Sequence, residues 1–395
     1  MSPKSDHYDT VVVGAGVLGG WTALFLTRMG QRVLLVDAWG PGNSRSSSGG
    51  ETRVLRSIYG GDAHYVGLVV RAVRLWREAE QEWGQRVYQQ TGALWMCSEQ
   101  DDYVRCSLDS VRDAGFRVEE LSLEVARRRF PQVSFDGIQS VFVEQEAGFL
   151  LASRACRNVW NAVVRSGGTA TQLSATPGRI EGGGVKDIAL TDGSRVTADC
   201  FVFATGAWLV AHFPHLLADV LTPTRQEVFF FGTPAGDVRF ASEHFPVWVE
   251  LGTRIMYGVP DQGLRGFKIG DDTRGPRFDP TAGDRTPSQA GLDRARTYLA
   301  RRFPDMKGAP LLEARVCQYT NTPDGHLVVD RLPGAENVWI VGGRSGHSFK
   351  LGPAIGQDVA SKIISGGAPE SVFALDRLEQ VEQPRTQFQH VVPRD

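Results

Sequence analysis

Short apolar runs alternate with glycine-containing and polar stretches at the start of the chain. Residues 8–13 form a β-branched run that predicts a buried strand, and residues 17–29 carry apolar side chains at broadly helical spacing. Gly30 is typical of a helix end, and residues 32–36 form a second apolar run that stops at Asp37. The pattern predicts a strand–helix–strand unit.

Further apolar and amphipathic segments follow along the rest of the chain. Periodicity predicts an amphipathic helix at residues 65–83 and further helices at 154–164 and 354–364. Strands are predicted at residues 200–204, 224–231, 255–259 and 338–341, with a hairpin at 185–196 around Thr191-Asp192-Gly193-Ser194. Residues 270–287, rich in Gly, Asp, Arg and Pro, are typical of an exposed loop. The central segments suit a second domain.

Composition indicates a globular protein of two domains that acts on small molecules. With 395 residues the chain exceeds one comfortable hydrophobic core, and its 42% apolar and 22% charged residues are typical of globular proteins. A net charge of -2 argues against binding to nucleic acid or to anionic membranes. Because the first residues lack an apolar leader and no stretch reaches the roughly 20 apolar residues of a membrane span, we expect a cytoplasmic protein.

The cysteines and histidines favour neither a disulfide framework nor a metal site. The five cysteines are an odd number and contain no CxxC pair. The eight histidines show no HExxH or comparable ligand spacing. We therefore expect no bound metal.

A G-x-G-x-x-G motif joins the first strand to the first helix and consists of Gly14, Ala15, Gly16, Val17, Leu18 and Gly19. Such glycines let a pyrophosphate approach the helix N-terminus, whose N–H groups and dipole hold it. Asp37 follows about 20 residues later, where an acid accepts hydrogen bonds from a ribose. A lone motif can be an ordinary flexible turn, but the complete order of elements here predicts a bound dinucleotide. It does not separate FAD from NAD.

Two later strands also run into glycine-containing turns. Residues 200–204 lead into Gly206, which lets the backbone pass close to another group, although a plain strand end is the simpler interpretation. Residues 338–341 lead into Gly342-Gly343 and then into the helix at 354–364. That helix would present its positive end to a reduced cofactor, unless the segment is only a structural connection.

Four stretches together resemble the monomeric sarcosine oxidase family, in the family's order and at similar intervals. They are residues 50–56 (GETRVLR), 266–270 (GFKIG), 316–324 (VCQYTNTPD) and 342–350 (GGRSGHSFK). With the N-terminal unit, the resemblance covers nearly the whole chain. It implies a flavin amine oxidase related to D-amino-acid and glycine oxidases.

The resemblance also implies a fold of the α/β (α+β) class. A Rossmann-like FAD-binding domain would be assembled from residues 1–62, 148–220 and 332–395. An antiparallel-sheet substrate domain would comprise residues 63–147 and 221–331.

The resemblance implies roles for four reactive or charged residues. Cys317 matches the cysteine that the family bonds covalently to the flavin 8-methyl group, although most cysteines are small buried hydrophobes. Lys268 matches the lysine that activates oxygen, where a fixed cation stabilises superoxide, and the alternative is a solvated surface lysine. Arg56 and Lys350 match the pair that holds the substrate carboxylate, with separate surface cations as the alternative.

The same resemblance implies less specific roles for other positions. Tyr257 and Tyr319 would line the substrate cavity unless they belong to the core. Arg53 would lie beside the flavin. Beyond the glycine motif, Asp37 and Cys317, the expected cofactor-binding residues are Ser47, Thr52, Arg53, Gly343, Gly346, His347 and Lys350.

Two departures from the family concern the substrate. Gly61 stands where sarcosine oxidases have an acidic residue after a Tyr-Gly pair, and Asp272 stands where they have a histidine. The usual contacts to the carboxylate and amine are therefore altered, and we do not expect sarcosine itself to be the substrate.

The expected reaction is oxidation of the C–N bond of a secondary amine or amino acid to an imine. Molecular oxygen would accept the electrons and become hydrogen peroxide, and the enzyme would be a monomer. One alternative is a flavin dehydrogenase or desaturase that acts on an imine or cyclic amine with another electron acceptor. A more distant alternative is a dinucleotide-binding protein without catalysis.

Overall fold

The computed structural model describes residues 7–99, 101–343 and 346–381. Residues 1–6, on which the expectation of a missing leader partly rests, lie outside the described residues. The outer ends of the predicted segments 1–62 and 332–395, and Arg344 and Ser345 of the resembling turn, lie outside as well. The exact domain boundaries stay a prediction.

The strand–helix–strand unit forms as predicted, as β1 (His7–Val13), α1 (Val17–Arg28) and β2 (Val33–Val36). β1 and β2 pair in parallel. Val11 and Val13 pack into one core while Val12 packs into another, so both faces of the sheet are buried. This two-sided burial explains the continuous apolar runs, since parallel sheets are covered by helices on both faces.

Within the described residues, β1 and β2 belong to an eight-stranded sheet whose other strands are β9 (Thr169–Thr171), β10 (Ala175–Pro177), β13 (Asp187–Leu190), β14 (Arg195–Phe203), β20 (Val328–Leu332) and β21 (Ala335–Gly342). Its parallel centre runs in the order β9, β2, β1, β14, β21. The C-terminal ends of β1, β14 and β21 therefore meet at one edge, where α/β sheets bind ligands.

Three long helices cover one face of this sheet together with α1. They are α2 (Ala63–Trp83), α6 (Ala152–Arg165) and α10 (Gly352–Ser365). A Cβ on Gly352 would lie 2.3 Å from Val17 Cγ2, so the first residues of α1 and α10 touch. Two helix N-termini are thereby brought to the same edge of the sheet.

The second large sheet contains β5 (Ala93–Cys97), β6 (Val118–Leu121), β7 (Ser140–Glu144), β15 (Thr222–Phe231), β16 (Val247–Leu251), β17 (Met256–Val259), β18 (Phe267–Asp271) and β19 (Leu311–Asn321). The strand order is β19-β15-β18-β17-β16-β5-β7-β6. The pairs are antiparallel except for β16 with β5, which run parallel. The α/β fold class is confirmed, and the predicted antiparallel sheet is a mixed one.

Side chains of the second sheet alternate between an apolar core and the opposite face. Phe229, Phe231, Phe267 and Ile269 pack into the core with residues of α9 (Gln289–Arg302). Because successive side chains of a strand point to opposite faces, their neighbours in sequence point the other way. That other face forms one wall of the cavity described below.

The remaining elements are short. The small strands are β3 (Thr52–Leu55), β4 (Tyr88–Gln89) and β8 (Gly148–Leu151) of one sheet, and β11 (Ile180–Glu181) with β12 (Gly184–Val185). The short helices are α3 (Asp102–Arg105), α4 (Leu108–Asp113), α5 (Leu123–Arg129), α7 (Leu209–His212) and α8 (Pro214–Leu217).

The predicted exposed loop at residues 270–287 needs a correction. Gly270 and Asp271 belong to β18, where Gly270 pairs with Val228. Farther along, Phe278 is buried, and Arg45 donates a hydrogen bond to the Thr281 carbonyl at 3.3 Å. Glycine and proline content marked the irregular backbone correctly but did not reveal that the segment packs onto the protein. Among the described residues, no helix has both the length and the apolar character to cross a membrane.

Candidate active site

The glycine motif forms a close backbone crossing at the end of β1. Gly14 has a φ of 106°, a conformation that side chains other than glycine rarely adopt. A Cβ there would lie 2.5 Å from the carbonyl oxygen of Ala204, which follows β14. The turn after β14 thus passes directly over the motif. Gly206 itself does not make the close approach, since a Cβ built there meets no described atom within 4 Å; the glycine that the crossing requires is Gly14.

A cavity of about 230 Å³ opens at this crossing. Of the expected cofactor-binding residues, its lining includes Gly14, Gly16, Val17, Leu18, Asp37, Ser47 and Gly343. Ala15 reaches the same place through its N–H, which donates to Asp37 Oδ2 at 2.8 Å. The other carboxylate oxygen accepts the N–H of Trp39 at 2.9 Å. Burial raises the pKa of Asp37, and these backbone hydrogen bonds oppose the rise.

The residues of this first cavity fit a dinucleotide. The glycines leave room at the N-terminus of α1, where N–H groups and the helix dipole favour a pyrophosphate. The buried hydroxyl of Thr205 also lies in the wall, and it has no hydrogen-bond partner among the described residues. A buried hydroxyl of this kind is costly unless a ligand or water bonds to it.

A second cavity, of about 80 Å³, adjoins the first, and Ser46 and Phe349 line both. Its wall brings together most of the remaining predicted residues, namely Arg53, Arg56, Tyr257, Lys268, Cys317, Tyr319, Gly346, His347 and Lys350. Four distant stretches of sequence meet here, as the resemblance implied. Thr52 lies behind the wall and is described with Lys268.

Strand alternation explains why the second sheet supplies so many of these residues. On β18, Phe267 and Ile269 face the core, so Lys268 faces the cavity. On β19, Arg315, Cys317 and Tyr319 are two residues apart and all line the cavity. The spacing of two places a cation, a thiol and a phenol in one row.

Lys268 is buried, with 4% of its surface exposed, rather than a solvated surface lysine. Its Nζ donates to the Thr52 carbonyl oxygen at 3.0 Å. Burial, followed by the positive charge of Arg53, lowers the pKa of Lys268 from 10.5 to about 7. The ammonium group is therefore poised to gain or lose its proton near neutral pH.

The lowered pKa predicts a pH-dependent stability that a neutral side chain would remove. Between about pH 7 and 10.5 the unfolded chain binds more protons at Lys268, so this residue makes the protein more stable as pH rises. Below about pH 7 the destabilisation is complete, on the order of 5 kcal/mol at about 1.4 kcal/mol per pKa unit.

Lys268→Met is therefore expected to raise the free energy of unfolding more at pH 6.5 than at pH 10, as measured by urea unfolding. The Thr52 carbonyl loses the hydrogen bond from Lys268 and keeps the one from Arg53 at both pH values, so that cost cancels in the comparison. An equal difference between variant and wild type at both pH values would contradict the assignment.

Arg53 organises the loop beside Cys317. Its Nη2 donates to the carbonyl oxygens of Ser47 and Gly49, each at 2.6 Å, and its Nη1 donates to the Thr52 carbonyl at 2.8 Å. The same Nη2 lies 3.8 Å from Cys317 Sγ. Cys317 is half-buried at the cavity wall rather than a core residue. A fixed positive charge thus stands next to the thiol.

Arg56 and Lys350 both line the second cavity, and both lie next to the ring of Tyr59. Both are buried, at 4% and 2% exposure, which excludes the alternative of surface cations. The Arg56 guanidinium carbon lies 4.6 Å and the Lys350 Nζ 5.1 Å from the ring centroid of Tyr59. Lys350 Nζ also donates to the His347 carbonyl at 3.1 Å. Two buried cations in the wall of one small cavity are suited to binding an anion.

Glu144 lies beneath Arg56 and helps to hold its charge. The carboxylate is fully buried and accepts from the Ser57 hydroxyl at 2.6 Å and from Trp95 Nε1 at 3.2 Å. Burial by itself lowers the pKa of Arg56, but the charges of Tyr103, Tyr59, Glu144 and Asp272 raise it above its usual value. Arg56 therefore keeps its proton in an apolar setting.

The two tyrosines of the cavity differ in their partners. Burial raises the pKa of Tyr257 and, together with the neighbouring Asp272, that of Tyr319, so both phenols stay neutral at physiological pH. The Tyr319 hydroxyl donates to Asp272 Oδ1 at 2.7 Å. Gly61 lies in the turn before α2 with its N–H 3.4 Å from Ser107 Oγ. Of the two departures from the family, Asp272 is the one on the cavity wall.

Several residues of the site were not predicted. Thr205 and Trp208 line the first cavity, and Glu51 and Arg315 line the second. Arg315 could have been found from its spacing of two residues before Cys317, and Glu51 from its place within the resembling stretch 50–56. The role of Glu144 could not be predicted from the sequence, because the pattern of its strand is that of an ordinary apolar strand.

Comparisons with known proteins agree with this geometry. A family model described as FAD dependent oxidoreductase (DAO) matches residues 9–362. Monomeric sarcosine oxidase of Arthrobacter sp. (strain TE1826) is 31% identical, with 97% of this chain and 100% of the relative covered. N-methyl-L-tryptophan oxidase of Yersinia pestis (strain Pestoides F) is 28% identical, with 89% and 94% covered.

Among solved structures, L-proline dehydrogenase from P. horikoshii matches with a TM-score of 0.83 at 20% identity, over 96% of this chain and 100% of that one. This likeness shows a shared fold. The family model extends from β1 into α10, so it includes both cavities and every segment that lines them. The chain therefore belongs to the DAO family of FAD-dependent oxidoreductases.

Proposed function

We propose that this protein oxidises the C–N bond of a small amino acid carrying a secondary amine, giving an imine and hydrogen peroxide. The presence of the buried cations Arg56 and Lys350 in the wall of the second cavity carries the proposal. Relatives named for sarcosine and N-methyl-L-tryptophan support a substrate with both a secondary amine and a carboxylate. The predicted monomeric state and cytoplasmic location stay predictions.

The first cavity would hold the dinucleotide part of FAD. The glycine motif and the N-terminus of α1 would take the pyrophosphate, and Asp37 and Thr205 would bond to hydroxyl groups. Bound FAD supplies a two-electron acceptor beside the second cavity. The flavin end would meet Arg53, Cys317 and His347, whose side chains line the adjoining wall.

The residues of the second cavity would bind and orient the substrate and assist the reduction of oxygen. Arg56 and Lys350 bind the carboxylate and so orient the C–H bond next to the nitrogen. The buried Lys268 supplies a positive charge where oxygen is reduced, and its effect is strong because water is excluded. Tyr257 and Tyr319 donate neutral hydroxyl groups and close the wall.

An amine panel tests the function directly. Under anaerobic conditions an N-methyl amino acid is expected to bleach the flavin absorbance, and the corresponding amine without a carboxylate should do so far less. Admission of air should then restore the absorbance and release one equivalent of hydrogen peroxide. Failure of every amine to bleach the flavin would favour a binding protein, and bleaching without peroxide would favour a dehydrogenase.

We also propose that Cys317 is bonded covalently to the flavin. Two observations support this: the partly buried thiol lies on the cavity wall, and its Sγ is 3.8 Å from the guanidinium of Arg53, which lines the same cavity. Acid precipitation of the wild type should therefore give a yellow pellet. The Cys317→Ser variant should give a colourless pellet with the flavin in solution.

The matched control is Cys106→Ser. Cys106 is exposed and lies outside the cavity lining, so that variant should keep the yellow pellet. A colourless wild-type pellet would refute the bond. A yellow Cys317→Ser pellet would place the bond on another residue.

A further inference from the structure

An acidic side chain, Asp272, shares the second cavity with the cations that would bind the substrate carboxylate. It follows Asp271, the last residue of β18. Asp272 lies four residues after Lys268 and lines the same cavity, while Asp271 points away and accepts from Arg254 Nη1 at 2.5 Å. The adjacent carboxylates of Asp271 and Asp272 therefore lie on opposite faces of the sheet.

The neighbouring strand holds the Asp272 carboxylate in place. Tyr319 on β19 donates its hydroxyl to Oδ1 at 2.7 Å, and its raised pKa keeps it a donor. The negative charge of Asp272 is also one of the groups that raise the pKa of Arg56, so the two charges act on each other. The other acidic residue of the lining, Glu51, is bound by Arg265 and Arg315.

The cavity wall therefore carries the two cations that would bind a carboxylate, Arg56 and Lys350, and a negative group, Asp272. An amino acid held by its carboxylate at these cations has its nitrogen only one carbon away from that carboxylate. Oxidation turns the neutral amine into a positively charged iminium. A fixed carboxylate in a dry cavity stabilises a positive charge at that atom more strongly than water would.

We propose that Asp272 stabilises the positive charge that develops on the substrate nitrogen as the iminium forms, and so makes the cavity selective for ligands that combine a carboxylate with a cationic nitrogen. This inference rests on the proposed function, because it takes Arg56 and Lys350 as the carboxylate site. It assigns the departure from the family at this position to recognition of the nitrogen.

Two ligands of equal shape test the proposal in the flavin-containing protein by isothermal titration calorimetry. Trimethylammonioacetate carries a fixed positive nitrogen that has no lone pair to be oxidised. In 3,3-dimethylbutanoate a neutral carbon replaces that nitrogen. The wild type is expected to bind the cationic ligand at least about tenfold more tightly, as a close charge pair in a partly buried site allows.

Asp272→Asn should abolish this preference, and Asp272→Glu should restore part of it. Asp271→Asn is the matched control, since it removes the same charge one residue away on the opposite face, and it should keep the full preference. A preference that survives in Asp272→Asn, or a wild type without preference, would overturn the proposal.

Acetate separates this inference from the proposed function, because it tests the carboxylate site alone. If acetate binds but the two shape-matched ligands do not differ, only the role of Asp272 fails. If acetate and both larger ligands fail to bind, the carboxylate site itself fails.

Discussion

Replacement of Lys268 by methionine should slow the reaction with oxygen on the order of 10²–10³-fold, the effect of removing one preorganised electrostatic group from an active site. Lys268 is a buried cation of the wall, and within the described residues its ammonium group donates hydrogen bonds to the carbonyl oxygen and the hydroxyl of Thr52. Its charge is thus directed at the cavity rather than neutralised by a carboxylate. Methionine keeps the length of the side chain and removes the charge.

Stopped-flow absorbance separates the two half-reactions. Anaerobic bleaching by the amine should change by less than about threefold, since that step does not create negative charge on oxygen. Lys307→Met, at an exposed position, controls for loss of a lysine in general. A Lys268→Met protein that reoxidises as fast as the wild type would remove Lys268 from the mechanism.

Arg56→Met should weaken the binding of carboxylate-bearing substrates on the order of 10²–10³-fold, because two charge-assisted hydrogen bonds are worth about 3–5 kcal/mol together. The loss should be confined to ligands with a carboxylate. An amine without one should bind equally to both proteins. Inhibition by simple carboxylates, measured as a competitive constant, gives the same comparison without turnover.

Loss of Arg56 also leaves the buried Glu144 without one of the charges that lower its pKa. Because both side chains are buried, loss of Arg56 alone is expected to destabilise the protein as well, so the single variant does not separate binding from folding. The double variant Arg56→Met/Glu144→Gln removes both charges and keeps one acceptor oxygen for Ser57, although Trp95 Nε1 loses its acceptor. Unchanged carboxylate affinity in the folded double variant would disprove the role of Arg56.

Local pattern was sufficient to predict the dinucleotide site. Strand, glycine motif, helix, strand and Asp37 lie within one short stretch, and each is dictated by backbone geometry that the sequence shows directly. The structure adds the turn at Ala204, which crosses Gly14. That crossing depends on β14 pairing with β1, a long-range contact that periodicity does not contain.

The second cavity could be predicted only through the family resemblance. Arg56 and Lys350 are far apart in sequence, and neither segment indicates that both side chains lie next to the ring of Tyr59. Glu144 was missed because a buried carboxylate on an apolar strand is recognisable only once its partners are in place. Asp272 was noticed as a departure, but its side of the sheet became clear only from the register of β18.

Because side chains alternate along the strands of the second sheet, the positions that line the cavity are separate from the positions that fill the core. Positions 226, 228 and 230 on β15 line the cavity, whereas positions 229 and 231 fill the core. Lys268 and Asp272 likewise alternate with Phe267 and Ile269. Substitutions at the cavity-lining positions can therefore change which ligands the cavity accepts without altering the core packing of the sheet. Relatives that share this fold are thus free to diverge toward different amines.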